Sequence, residues 1–156
     1  GLVDEIPRGA VRVEETLFPS LVARRRTVLG HQFDGMWADL GTSARYLQAS
    51  KELLEERNAV APGARLASTG LLKGTAVGAS CLLQMSSSVE DSILWEHVTI
   101  SAGAQVKDSI LADNVFVGVG AVLNGVVAGR GAQIGPGAVV PPGTSIEAGG
   151  RYDGGQ

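Results

Sequence analysis

The chain has 156 residues, 44% of them hydrophobic but only 4% aromatic, with 22 glycines and 13 Lys and Arg against 16 Asp and Glu, a formal charge of −3. That balance leaves no electrostatic footprint for nucleic acid, and no apolar run is long enough to span a membrane. One cysteine, Cys81, excludes an intrachain disulfide. No secretory pattern opens the chain, so a cytoplasmic location is expected.

Charge is uneven along the chain, with 17 of the 29 charged residues in positions 1–58. Two halves are therefore expected: residues 1–58, then a joint at 59–65 (AVAPGAR), a repeat region at 66–148 and a disordered tail at 149–156. Within the first half, Val13–Arg26 reads as a helix carrying Leu17, Leu21 and Val22 on one face. Pro19 fits it only in a first turn, and Arg24, Arg25 and Arg26 suit the negative end of the helix dipole. Thr27–Phe33 and Met36–Leu40 read as two strands around the Asp34–Gly35 turn signal. A second helix follows, capped by Thr42 and ending near Arg57, with Tyr46, Leu47, Leu53 and Leu54 as its apolar stripe.

From Leu72 the sequence repeats every seventeen residues. Leu72, Val89, Val106, Leu123 and Val140 form one column; Leu83, Ile100, Val117 and Ile134 form another. Val77, Leu94, Leu111 and Ala128 make a third, beside Ala76, Ile93, Ile110 and Val127. Cys81 shares a column with Val98, Val115 and Ala132, which makes it a small interior hydrophobe. A fixed period of this kind marks a solenoid, whose units bury their apolar faces only by stacking. Three apolar anchors per period give a three-sided coil of short parallel strands. Gly103, Gly120 and Gly137, each followed by Ala, are expected at corners with positive φ. Lys73, Glu90 and Lys107 share an outward column, so Glu90 should lie between two lysines. Pro141 and Pro142 are expected to close the last coil, and the outward Trp95 and Phe116 suggest a wall that meets another subunit or a further domain.

VGVGAV from Val117 and IGPGAV from Ile134 resemble the hexapeptide repeat of left-handed β-helix proteins. Parallel crossovers are usually right-handed, so the left hand follows from the resemblance alone. The run Phe33–Glu55 (FDGMWADLGTSARYLQASKELLE) is similar to the closing motif of sugar-1-phosphate nucleotidyltransferases, in particular the mannose-1-phosphate guanylyltransferase-like branch. Phe33, Gly35, Trp37, Asp39, Gly41, Thr42, Tyr46, Leu47 and Ala49 match, whereas Ser43 replaces the usual Pro and Ala44 a common acid. The fold expected is mainly β: a left-handed parallel β-helix of about four to five coils with a seventeen-residue period. It would follow a small α/β segment from the end of a nucleotidyltransferase domain.

That resemblance implies a parent enzyme joining a nucleoside triphosphate to a sugar 1-phosphate with release of pyrophosphate. Asp39 would be one carboxylate on Mg²⁺, with Trp37 and Gly41 beside the sugar phosphate and the β-helix serving homo-oligomerisation or regulation. The family's glycine-rich triphosphate loop and its partner carboxylate do not occur in these residues, and the chain opens on Gly1 rather than Met. A catalytically inert C-terminal fragment is therefore expected. Two alternatives remain: a purely structural β-helix module, and a hexapeptide-repeat acyltransferase, which would need a solenoid histidine as general base. His97 is its one candidate, and taken alone it reads as a solvated surface imidazole beside Glu96. A three-histidine zinc site is excluded, since the chain has only His31 and His97.

Overall fold

Seventeen residues carry the chain once around three flat walls and one rung upward. In the computed structural model, which describes residues 1–68 and 70–154, wall A stacks Ala59–Val60, Ala76–Val77, Ile93–Leu94, Ile110–Leu111, Val127–Ala128 and Ser145–Ile146. Wall B stacks Arg65–Leu66, Leu82–Leu83, Thr99–Ile100, Phe116–Val117, Gln133–Ile134 and Arg151–Tyr152; wall C runs from Leu71–Lys73 to Val139–Val140. All pairs are parallel, and Val89 sits opposite Leu72 on one side and Val106 on the other. The expected columns are therefore the physical rungs.

One residue of each short strand faces in. Leu94, Ile100, Val106, Leu111, Val117, Leu123 and Ile134 are almost fully buried, as are Cys81, Val98 and Val115 at one corner and Ala104, Ala121 and Ala138 at another. Small residues stand at the corners because two walls converge there. Gly103, Gly120 and Gly137 have φ near +66°, as a sharp turn requires.

A third corner, between walls C and A, is lined by buried hydroxyls. Thr75, Ser92 and Ser109 are stacked one rung apart. Each donates its hydroxyl proton to a carbonyl two residues back, at 2.6–2.8 Å. Each also accepts the backbone N–H seventeen residues on: Ser92 N–H to Thr75 Oγ1 at 3.4 Å, Ser109 N–H to Ser92 Oγ at 3.1 Å, Val126 N–H to Ser109 Oγ at 3.0 Å. Asn58 starts the ladder by accepting from Thr75 N–H at 3.1 Å. Val126 ends it, having no acceptor to offer. Immediately beyond, the period lengthens to eighteen, with Val127 opposite Ser145. Pro141 and Pro142 thus mark an enlarged corner rather than the end of the solenoid, and Thr144 N–H turns back to Pro141 O at 3.3 Å.

Both ends reach further than expected. The residues read as a joint form the first coil: Ala59 N–H bonds Thr75 O at 3.0 Å and Arg65 N–H bonds Cys81 O at 2.8 Å, with Gly63 (φ +82°) turning the corner. In the stretch read as a disordered tail, Arg151–Tyr152 pairs with Gln133–Ile134, and the Tyr152 hydroxyl reaches Val139 O at 3.4 Å across the last rung. The final two tail residues lie outside the described residues.

The chain divides into two compact units, Gly1–Trp37 and Ala38–Gln156. In the first, helix α1 spans only Leu17–Ala23, burying Leu17 and Leu21, with Pro19 in its opening turn. Arg25 at φ +55° terminates it, and Arg24 pairs with Glu5, whose carboxyl is held below the usual range chiefly by that hydrogen bond. Neither Thr27–Phe33 nor Met36–Leu40 forms a strand. An isolated two-stranded hairpin is marginal in water, and Leu29 and Trp37 are 87% and 77% exposed.

In the second unit, helix α2 spans Ser43–Leu54, and Thr42 caps it by accepting Arg45 N–H at 3.2 Å. Its 12 residues extend about 18 Å, the height of roughly four rungs. The helix lies along wall A. Ala49 is buried, and the outward-facing Ile93 and Ile110 are only 5% and 7% exposed. Lys51 Nζ fastens it, 2.8 Å from Asp108 and 3.7 Å from Asp91. Glu90 does lie between Lys73 and Lys107 in register, yet no ion pair within 4.0 Å joins them among the described residues. The lysine that neutralises this edge comes from α2.

Candidate functional site

The corner between walls A and B repeats Gly63, Ser80, His97, Asn114, Gly131 and Gly149, all with φ between +57° and +82°. Side chains there must tolerate the left-handed region, which among non-glycine residues favours Asn, Asp and His. That constraint accounts for an imidazole at this position without any chemistry. The corner nevertheless points His97 outward into a recess lined by Gly63, Arg65, Ser80, Cys81, Leu82, His97 and Thr99. Backbone bonds hold it firmly: His97 N–H donates to Ala79 O and Asn114 N–H to Glu96 O, both at 2.9 Å. Asp113 on the next rung braces the turn, accepting Glu96 N–H at 3.2 Å and Arg130 at 3.0 Å.

Cys81 borders the recess but faces inward. Its thiol donates to Trp95 O at 2.9 Å, and burial pushes its pKa up, so it stays protonated. The polar lining is thus His97, two hydroxyls (Ser80 and Thr99) and the Arg65 guanidinium. Such a set can take up a proton, donate hydrogen bonds and hold negative charge. Sequence reasoning singled out His97 but not its surroundings. The signal for them was the run of polar residues Ser80, His97 and Asn114 in one corner column of a largely apolar repeat.

The residues assigned to a magnesium-dependent site stand elsewhere. Asp39 is exposed and pairs with Arg45 at 2.6 Å. No group of three or more His, Cys, Asp or Glu that could hold a metal occurs among the described residues. Asp39 supplies a single carboxylate, paired with Arg45, and Mg²⁺, which takes one or two protein carboxylates among hard oxygen ligands, would share it with a carboxylate from elsewhere. Trp37 is largely exposed, and a Cβ on Gly41 would lie 3.5 Å from Asp39 Oδ1.

Three parallel walls closing every seventeen residues define a hexapeptide-type β-solenoid. The GlmU-like C-terminal hexapeptide family matches residues 62–148, more than half of the chain, and the protein belongs to that family. The match covers the solenoid and does not reach the Phe33–Glu55 run, so it lends no support to a nucleotidyltransferase domain. Among solved structures the chain is similar to an acetyltransferase-type BC4754 gene product of Bacillus cereus, at 21% identity over 62% of this chain and 75% of that one, TM-score 0.47. It is also similar to the acetyltransferase domain of PglB from Neisseria gonorrhoeae in complex with acetyl coenzyme A, at 16% identity over 75% and 71%, TM-score 0.46. A variant of perosamine N-acetyltransferase from Caulobacter crescentus, in complex with CoA and GDP-perosamine, matches at 22% identity over 94% and 86%, TM-score 0.39. Likeness at this level carries no conclusion about chemistry. No curated protein matches the sequence, and no helix among the described residues is long and apolar enough to cross a membrane.

Proposed function

We propose that the β-helix is an acyltransferase-type module in which His97 is the general base, moving an acyl group from a thioester donor to an amine or hydroxyl acceptor. The observation that carries this reading is the placement of the repeat region's one imidazole at an outward corner, facing a recess of hydroxyls. In the reaction the acceptor nitrogen or oxygen bonds to the thioester carbonyl carbon while His97 takes its proton. The carbon–sulfur bond then breaks and the proton passes to the departing sulfur, giving an amide or ester and a free thiol. Cys81 takes no part, because its sulfur is buried and already donates to Trp95 O. Thiol release from acetyl-coenzyme A, measured across a panel of amino and hydroxyl acceptors, tests the reading. His97→Gln should lower the rate by at least about a hundredfold, the usual contribution of a positioned base. An unchanged rate in that variant rules the role out.

A second reading keeps the solenoid as the assembly module of a sugar-1-phosphate nucleotidyltransferase, homo-oligomeric through its walls. The nine matching residues between Phe33 and Ala49 favour it. Under this reading Asp39 offers Mg²⁺ one carboxylate only after Arg45 releases it, with nucleoside triphosphate and sugar 1-phosphate bound by a partner domain. A solution mass that is a multiple of 16.0 kDa, reduced to the single value by Phe116→Asp, would support it. A monomer at all concentrations would remove it.

A further inference from the structure

Wall A changes level between its second and third rungs. One outward column reads Ala59, Ala76, Ile93 and Ile110, one residue per rung. The outward column beside it reads Ala61, Gly78 and Trp95 on the first three of those rungs. Ile93 and Ile110 are buried under α2, whereas Ala59 stays exposed. Large side chains therefore begin abruptly at the third coil, and a shelf of Ala and Gly lies below them. Contact keeps Gly78 small, because a Cβ there would meet the Trp95 carbonyl at 2.6 Å.

The shelf is the floor of a slot of about 450 Å³, lined on its sides by Tyr46, in the first turn of α2, and by Trp95. That volume lies within the range of small-molecule sites, and the whole slot belongs to the unit Ala38–Gln156. Tyr46 is half-buried and Trp95 is 44% exposed. Among the described residues neither ring stacks on another ring, and neither Tyr46 Oη nor Trp95 Nε1 has a hydrogen-bond partner. Two open ring faces and two unused donors over an apolar floor match an occupant that is flat and carries acceptors. No charged side chain lines the slot, so a charged group would gain nothing there. An aromatic side chain of a peptide fits less well, since Phe has no acceptor and Trp only a donor. A nucleobase offers both a face on which aromatic side chains stack and acceptor nitrogens and carbonyls.

We propose that the slot between α2 and the first two coils binds a neutral nitrogen heterocycle of the nucleobase type, stacked on Trp95 above the Ala–Gly shelf. The inference does not depend on the role given to His97. Adenosine is the probe, and Trp37→Phe leaves Trp95 as the one tryptophan whose fluorescence reports on it. Saturable quenching by adenosine is expected, with none from ribose at the same concentration. AMP should bind no more tightly than adenosine, because no cation lines the slot. Ala76→Ile continues the Ile93 and Ile110 column downward and fills the floor, so it should weaken binding at least about tenfold while circular dichroism shows the fold intact. Trp95→Leu, followed by ligand-observed NMR, should weaken it about tenfold through lost stacking. The slot is overturned if adenosine gives no saturable quenching, or if folded Ala76→Ile binds it like the parent protein. N-acetyltryptophanamide binding more tightly than adenosine would overturn it too, by making the occupant a peptide side chain. AMP binding more than tenfold more tightly than adenosine would place the ligand on a cation elsewhere, with the same result.

Discussion

Ser92 tests whether the hydroxyl ladder between walls C and A holds the solenoid together. Replacing it with Ala removes the acceptor of Ser109 N–H, a 3.1 Å bond in a site where Ser92 and Ser109 are 1% and 0% exposed. It also removes a donor to Glu90 O, but that carbonyl keeps Asp108 N–H at 3.2 Å. One buried N–H is therefore left without a partner, which costs about 1–3 kcal/mol. Deleting a single oxygen adds almost no cavity, so the hydrogen bond dominates. At about 2 kcal/mol, a chain of this size should lose roughly 4–8 °C in melting temperature. Thermal unfolding followed by far-ultraviolet circular dichroism measures the shift, with Ser88→Ala as the reference. Ser88 stands on the same coil but on the outward side of wall C, half-buried, where losing a hydroxyl leaves no interior N–H unpaired. If Ser92→Ala melts with Ser88→Ala, the ladder contributes nothing and the reasoning fails.

Lys51 gives a pH test of how α2 is held. Its pKa is raised above the ordinary 10.5, first by the hydrogen bond to Asp108, despite partial desolvation. A raised folded-state value means that its contribution is complete at neutral pH and is lost as pH climbs through that value, above about 10.5. The side chain is a third exposed, so the loss should be about 1 kcal/mol or less. Denaturant titrations at neutral pH and above pH ~10.5 should show it in the parent and not in Lys51→Met; equal pH sensitivity in both would discard the strap. Gly78 offers a steric contrast. A Cβ there would meet the Trp95 carbonyl carbon and oxygen at 2.6 Å, whereas at Gly103 (φ +66°) it would meet nothing within 4 Å. Gly78→Ala should cost about 2–3 kcal/mol in urea unfolding, and Gly103→Ala about 1 kcal/mol from backbone conformation alone. A reversed order would mean that wall A can spread at Trp95.

The rungs were legible because stacking makes equal spacing in sequence into contact in space: Val89 and Val106 must align if the coil closes every seventeen residues. Gly103, Gly120 and Gly137 were legible as corners because repeated glycine marks positive φ. The equivalent corners at Ser80, His97 and Asn114, or at Asp91 and Asp108, carry the same backbone conformation with φ from +46° to +59°. Their varied residue types hid it. The first coil was misread as a joint for a related reason. An end coil has one neighbour instead of two, so Ala59, Ala61, Pro62 and Gly63 bury little and resemble a linker. The hairpin expected from Thr27 to Leu40 failed because turn chemistry and alternation name a partner for each strand but supply no third layer to cover them.

The recess follows from the same stacking rule that made the rungs readable. In a solenoid every environment recurs one rung on, so an uninterrupted column gives a uniform wall, and a site arises only where columns change character. Around His97 they change in opposite senses. Toward the later coils the corner is filled and cross-linked, with Glu96 N–H on Asp113 and Asp113 on Arg130. Toward the first coil it empties, through Ser80 to Gly63, while the outward column of wall B ends in the exposed Arg65, which has no ion pair among the described residues. The braced side fixes the imidazole; the empty side leaves room in front of it and a charge at the far end. The Asp39 end of α2 shows the opposite arrangement, a carboxylate already satisfied by Arg45. Within these residues, free functional groups and open space coincide at the His97 corner.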